Sequence, residues 1–220
     1  MPLNPNNISI IEKIRSFISH NHLKYLHESI LSRSLFGIES NAVEEHPNLF
    51  RLWTPDTPFV SSDEIKVFTN DHAGKTGRAR WFIADSSIVR NNKKYISEWQ
   101  VVVSSANAGG QKRDCQMAII DNRSAFGRSR VGLKSFLSKS EAENFLKYGQ
   151  STFIRYTFLL TDENLSSLAK YVPDILDYTD NNTLIDFEKN ISQQFYRLLK
   201  FSDKEIQYIE DSVKRVWGNR

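Results

Sequence analysis

The 220-residue chain has a single cysteine, Cys115. It has no partner for an internal disulfide and alone makes no zinc site, so a reducing cytoplasm is the simplest home. No run of about 18 apolar residues occurs, so no membrane-spanning segment is expected. The start, MPLNPNNISIIEKIRSF, lacks a basic region followed by an apolar one, so no secretory leader is expected. Without secretion, sequons such as Asn190-Ile191-Ser192 carry no meaning. Catalytic signatures are missing too: there is no GxGxxG, no P-loop and no GxSxG. His20 and His22 are two apart, off a common helix face, and His27, His46 and His72 are scattered, so no metal site is expected. What is present is an ordinary apolar fraction of 40% with 25% charged residues, enough for a core, which excludes collagen-like and mostly disordered chains.

The net charge of +3 averages away an uneven distribution. Residues 1–50 hold 4 basic and 5 acidic side chains, and residues 135–220 hold 11 and 13. Residues 51–134 hold 14 against 8, and within 75–134 the balance is 12 against 4. A basic segment between two near-neutral ones is the footprint of a polyanion-binding face; scattered solvated lysines are the alternative.

Hydrophobic periodicity divides the chain the same way. Ile10, Ile11, Ile14, Phe17 and Ile18 lie at helical spacing, with Asn6 or Asn7 as cap. A second short helix is predicted from His22 to Leu31, and Pro47, Pro55 and Pro58 make residues 32–60 irregular. Five short β-branched or aromatic runs follow: Ile65–Thr69, Arg80–Ala84, Trp99–Ser104, Gln116–Ile120 and Val131–Phe136. A short helix is predicted to start at Asp85-Ser86-Ser87. Beyond Leu137 the pattern is helical. Candidate capping boxes stand at Ser138/Glu141, Ser140/Glu143 and Ser202/Glu205, with helices over Ser151–Leu160 and Asp186–Lys200 and a short turn set from Leu165 to Val172. The expected fold is α+β: a central basic sheet, mixed or antiparallel, of about five strands, flanked by N-terminal and C-terminal helices. The expected divisions are a lead-in over 1–60, a β-rich core over 61–137 and a helical part over 138–220, or one single domain.

The basic residues fall between strands. Lys75, Arg78 and Arg80 surround a glycine-containing loop; Arg90, Lys93 and Lys94 share a turn with Asn91 and Asn92. Lys112 and Arg113 follow Asn107 and two glycines, and Arg123, Arg128 and Arg130 share the DNRSAFGRS loop. Arginine reads guanine bidentately, asparagine reads adenine, and lysine and arginine contact phosphate, so four such loops favour nucleic-acid binding over four solvated hairpin ends. Pro55-Asp56 followed by Glu64-Ile65-Lys66 is similar to the PD…(D/E)xK core of metal-dependent nucleases, though seven residues is a short separation and an exposed strand start explains it as well. Trp53, Trp81, Trp99 and Trp217 are able to stack on bases, but the strand positions of Trp81 and Trp99, and the helix face closed by Trp217, favour core packing.

Several stretches, in order, resemble the C-terminal target-recognition region of adenine-specific type II restriction-modification methylases of the fused methylase/endonuclease family. LSRSLFGIESN (Leu31–Asn41) is similar to the family's SR-x-PFG-x-x-T-N, with Leu35 replacing the proline. IKVF, RWFIA and the VRNN turn follow, and WQVVVSSANAGG is similar to KV-x-I-x-x-A-x-G. SKSEAENFLKYGQSTFIRYTFLL resembles the family's S-x-x-E-A-E-N helix and its T-K-F-x-R-x-L-L continuation. YVPDILDYTD and DKEIQYIEDSVKRV are similar to its VP-x-x-DF and E-I-x-x-I-E elements.

The resemblance implies sequence-specific recognition of double-stranded DNA by a chain with no catalytic centre and no cofactor of its own. It further implies a catalytic methyltransferase/nuclease domain, in the same polypeptide or in a partner subunit. That domain uses S-adenosylmethionine to methylate adenine N6, and Mg²⁺ if it also cleaves. Its Asn-Pro-Pro-Tyr motif does not occur in this sequence, and base extrusion needs such a motif with a cofactor pocket. A fragment of a larger polypeptide or a free-standing specificity protein is therefore expected, and Met1-Pro2-Leu3 reads as an arbitrary start. The DNA-contacting candidates, Lys75, Arg78, Arg80, Arg90, Lys93, Lys94, Asn107, Lys112, Arg113, Arg123, Arg128 and Arg130, come from charge and loop position, not from the family. Two rival readings remain: a Mg²⁺-dependent nuclease using Asp56, Glu64 and Lys66, and a protein-docking module of a restriction-modification complex.

Overall fold

The computed structural model describes residues 5–74, 76–105, 117–160 and 168–218, without the Trp217 side chain. The α-helices are α1 (Pro5–His20), α2 (Ala42–Glu45), α3 (Lys139–Gln150), α4 (Thr152–Leu159), α5 (Ile191–Leu198) and α6 (Asp203–Trp217). The strands are β1 (Lys24–Tyr25), β2 (Arg51–Leu52), β3 (Glu64–Asn70), β4 (Ala79–Asp85), β5 (Trp99–Ser104), β6 (Ala118–Ile120), β7 (Ser124–Phe126), β8 (Arg130–Phe136) and β9 (Pro173–Asp174). The chain is thus mixed α and β, and none of its described helices is long and apolar enough to cross a membrane. It divides into two compact units, one of residues 1–30, 107–117 and 140–220, the other of 31–106 and 118–139. The first sixty residues are accordingly shared between the units.

The first unit is helical. The apolar stripe of α1 is the one its spacing predicts: Ile10, Ile11, Ile14, Phe17 and Ile18 are all buried. Asn6 and Asn7 fall inside the first turn instead of capping it, because the helix already starts at Pro5. Asn7 Oδ1 instead accepts the Tyr156 and Tyr208 hydroxyls at 2.9 and 3.0 Å. The helix predicted over His22–Leu31 is replaced by β1 and a 3-10 turn at Leu26–Ser29. His22 has a φ of +52°, which interrupts helical propagation, and β1 pairs with β9 while Leu26 N–H donates to Val172 O at 2.9 Å. Pro173, which follows the turn set, is therefore a strand residue, where its missing N–H is tolerated in so short a ladder. Part of the turn set before it, residues 165–167, lies outside the described residues.

Phe153 stacks on Phe195 at 4.9 Å, and Phe17 meets Phe195 edge-on at 5.8 Å. Asp174, fully buried, accepts the Tyr178 hydroxyl and the Ser29 hydroxyl. Burial pushes the Tyr148 and Tyr178 phenols well above their ordinary value, so both stay neutral donors near neutral pH. Helix α5 is shorter than the predicted Asp186–Lys200, because Asn190 caps it by accepting Gln193 N–H. The capping box at α6 forms: Ser202 Oγ accepts Glu205 N–H, and Glu205 accepts Ser202 N–H.

The second unit holds two sheets where one of about five strands was expected. The four-stranded sheet has the order β2-β4-β3-β7, antiparallel except for the parallel β3–β7 pair; the three-stranded antiparallel sheet has the order β6-β5-β8. The added strand β7 comes from DNRSAFGRS, read as a turn because Asn122 and Gly127 bracket it. Its three residues Ser124, Ala125 and Phe126 are all buried, and pairing with Lys66–Phe68 satisfies their backbone. Alternation along β3 buries Ile65, Val67 and Thr69 and leaves Lys66, Phe68 and Asn70 half-buried. Val67, Phe82, Ala125, Phe126 and Phe36 form the core beneath, with Phe36 edge-on to Phe126 at 5.1 Å. Each such fully buried large side chain contributes about 1.5–3 kcal/mol. Gly127 is required here: a Cβ on it would lie 2.8 Å from Thr69 Cβ.

Candidate nucleic-acid interface

Strands β3 and β4 pair over seven residues, from Glu64↔Asp85 to Asn70↔Ala79. Their neighbours stop earlier. The β2 pairing reaches Phe82, and the β7 pairing reaches Phe68, with single further bonds from Trp53 N–H to Trp81 O and from Gly127 N–H to Phe68 O. Beyond that line, among the described residues, Thr69↔Arg80 and Asn70↔Ala79 continue the pairing as a two-stranded ribbon.

Asp71 organises the turn. It is a turn-favouring residue just after a strand, and its carboxylate accepts the Arg78 amide at 2.8 Å, the His72 amide at 2.9 Å and the Arg80 Nε at 3.1 Å. These contacts, led by the Arg78 amide, hold its carboxyl below the ordinary value. His72 bridges Asp71 and Thr76, its Nδ1 2.9 Å from Asp71 Oδ1 and its Nε2 3.0 Å from Thr76 Oγ1. Glu44 accepts the Ala73 amide at 3.1 Å. Arg78 itself is exposed, and its guanidinium makes no hydrogen bond or ion pair among the described residues.

The second loop behaves similarly. Asn92, at a φ of +55°, donates its amide to Leu35 O at 2.8 Å, and Arg90 N–H donates to Phe36 O. Gly37, at +68°, brings the backbone against Arg90, where a Cβ would lie 3.1 Å from Arg90 Cβ. The asparagine read from sequence as a base reader is thus a loop brace. Arg90, Lys93 and Lys94 face solvent, with Lys94 beside its neighbour's ring at 5.0 Å.

Arg123, Arg128 and Arg130 differ. Arg123 donates to the carbonyls of Glu64, Ser61 and Ser62 at 2.9–3.1 Å and lies 4.0 Å over Phe59. Arg128 pairs with Glu39 at 2.8 Å. Arg130 is only 9% exposed, lies 4.9 Å over Phe68 and has no carboxylate partner among the described residues; burial lowers its basicity. All three are engaged within the unit. Lys75, Asn107, Lys112 and Arg113 lie outside the described residues.

An arrangement not anticipated from sequence lies on the half-buried face of β3 and β4. Phe68 stacks on Trp81 at 4.8 Å, Trp81 meets Trp53 at 6.1 Å, and Lys66 Nζ lies 4.9 and 5.4 Å over Trp53 and Trp81 while pairing with Asp121. The Trp81 and Trp99 rings are half-buried rather than in the core proper. Only the period-two alternation pointed to this face. Of the nuclease pattern, Glu64 and Lys66 are engaged with different partners. Glu64 pairs with Arg51 at 2.8 Å and accepts Val60 N–H at 2.7 Å, that amide being the main cause of its lowered pKa. Asp56 is exposed and makes no hydrogen bond or ion pair among the described residues. Nor do the described residues contain a group of three histidine, cysteine or acidic side chains placed to hold one metal.

Comparison with protein-family models, with curated proteins and with solved structures finds no match.

Proposed function

We propose that this chain recognises double-stranded DNA through its second unit, as the target-recognition part of a restriction-modification adenine methyltransferase with or without endonuclease activity. The observation that carries the reading is a division among the arginines and lysines. Arg78, Arg90 and Lys93 stand exposed on loops braced by Asp71, Asn92 and Gly37, with no acidic side chain bonded to them among the described residues. Braced backbone with exposed cationic ends suits phosphate and base-edge contact, though the Lys93 charge also acts on the nearby Asp85 carboxyl. The ordered resemblance in sequence supplies the restriction-modification context. In this reading the chain acts in the cytoplasm, holds no cofactor of its own, and works beside a catalytic domain that carries S-adenosylmethionine.

The test is equilibrium binding of the chain to a mixed-sequence duplex between 50 and 200 mM salt. If Arg90, Lys93 and Lys94 each neutralise one phosphate, log K falls with log salt at a slope of about −2.7. Binding that is absent or independent of salt overturns the proposal and favours protein docking.

A further inference from the structure

We propose that the turn end of the β3–β4 ribbon is the element that enters the major groove, with Arg78 reading a guanine edge and Asp71 as its positioning residue. This rests on the DNA-recognition reading above and assigns within it the reading element, the groove and one specificity residue.

The pairing register carries the argument. Among the described residues no strand pairs with the ribbon from Thr69 and Arg80 outward, because β2 and β7 have ended; Thr69 is still buried against Gly127, and Glu44 holds the Ala73 amide, so the exposed part is the arm that carries Arg78 and Arg80. A two-stranded ribbon fits the major groove, which is about 12 Å wide, whereas a four-stranded sheet does not. The end of the ribbon is also stiff where a reader must be stiff. Asp71 N–H donates to Arg78 O at 3.0 Å, and Asp71 Oδ1 accepts Arg78 N–H at 2.8 Å, so the Arg78 backbone is tied on both sides while its guanidinium stays uncommitted. Ordering that backbone before binding lowers the entropy lost on docking. Arg80 gives its Nε to Asp71 and keeps its remaining nitrogens for the flanking phosphate. The bidentate arginine–guanine pair through O6 and N7 is the commonest specific contact in this groove. Asp71 is tolerated next to a polyanion because its charge is spent on the two amides and Arg80.

The experiment is selection of bound sequences from a randomised duplex pool, with the whole chain and with Arg78→Ala and Asp71→Asn. The wild-type chain is expected to return a preferred sequence containing a guanine. Arg78→Ala is expected to keep binding to mixed duplex within about threefold and to lose preference at that one position by about 5- to 150-fold. Replacing that guanine by 7-deazaguanine, which lacks N7, should weaken the wild type and leave Arg78→Ala unaffected. Asp71→Asn should lower the ratio of preferred to mixed-duplex affinity without lowering mixed-duplex affinity, since it also removes a negative charge; a purely structural defect would lower both. An unchanged preferred sequence in Arg78→Ala, or salt-dependent binding with no preferred sequence in the wild type, overturns this inference and leaves DNA binding standing. No binding to any duplex overturns both.

Discussion

Asp71 and Arg80 meet across the mouth of the β3–β4 turn, Arg80 Nε donating to Asp71 Oδ2 at 3.1 Å. The same carboxylate takes two backbone amides through its other oxygen. One acidic residue thus fixes the geometry of the loop that carries the exposed Arg78.

Asp71→Ala should destabilise the chain by about 1 kcal/mol, from the lost hydrogen bonds at a partly exposed site. Amide exchange should show faster exchange at His72 and Arg78 than elsewhere in the second unit. Because the Asp71 carboxyl is held below its ordinary value, its contribution is full above the unfolded value near 3.8 and is lost as pH falls through the folded one.

Arg123→Ala and Arg90→Ala should separate structural from surface arginines. Arg123 bonds three carbonyls and covers Phe59, so its loss should cost about 2–3 kcal/mol in urea unfolding. Arg90→Ala should stay within about 0.5 kcal/mol of the wild type. In duplex binding, Arg90→Ala should reduce the salt slope by about 0.9, if Arg90 contacts one phosphate.

Glu205 couples α1 to α6. Burial pushes its carboxyl up, but the Lys13 ammonium, the Ser202 amide and the Ser9 and Ser202 hydroxyls outweigh that and bring it to about 2. A depressed acid stabilises the fold above its unfolded value near 4.5 and loses that contribution as pH falls toward 2. Glu205→Gln should therefore be less stable than the wild type by about 2 kcal/mol at pH 7. The gap between their thermal midpoints should narrow steadily below pH 4.5.

Gly127→Ala should destabilise the second unit by about 1–3 kcal/mol, because the added methyl meets Thr69 in a filled core. The urea midpoint should shift down with an unchanged slope.

Much of the secondary structure was legible. The α1 stripe and the α6 capping box depend on residues within four positions of each other, so local pattern suffices to find them. Strands β3, β4, β5 and β8 also follow from their composition, to within a residue or two at each end. Strand β7 was not legible: three residues between turn formers become a strand only because β3 supplies a partner. The helix expected at His22–Leu31 failed for the opposite reason, since pairing of β1 with the distant β9 outweighs local propensity. In the candidate site, sequence identified the cations but not their employment. Arg78 and Arg123 look alike in a loop-charge argument, yet one is uncommitted and the other braces three carbonyls.

By itself the sequence determined the elements set by short-range periodicity, the placement of basic charge in the middle of the chain and the turn chemistry that puts that charge at strand ends. Tertiary structure alone decided the division of the strands between two sheets, the early ending of β2 and β7 that leaves a ribbon, and which arginines are spent internally. The physical reason is range. Periodicity and capping act over one or two turns of chain, whereas strand partnership and ion pairing join residues as far apart as Lys13 and Glu205, which only the folded chain brings together.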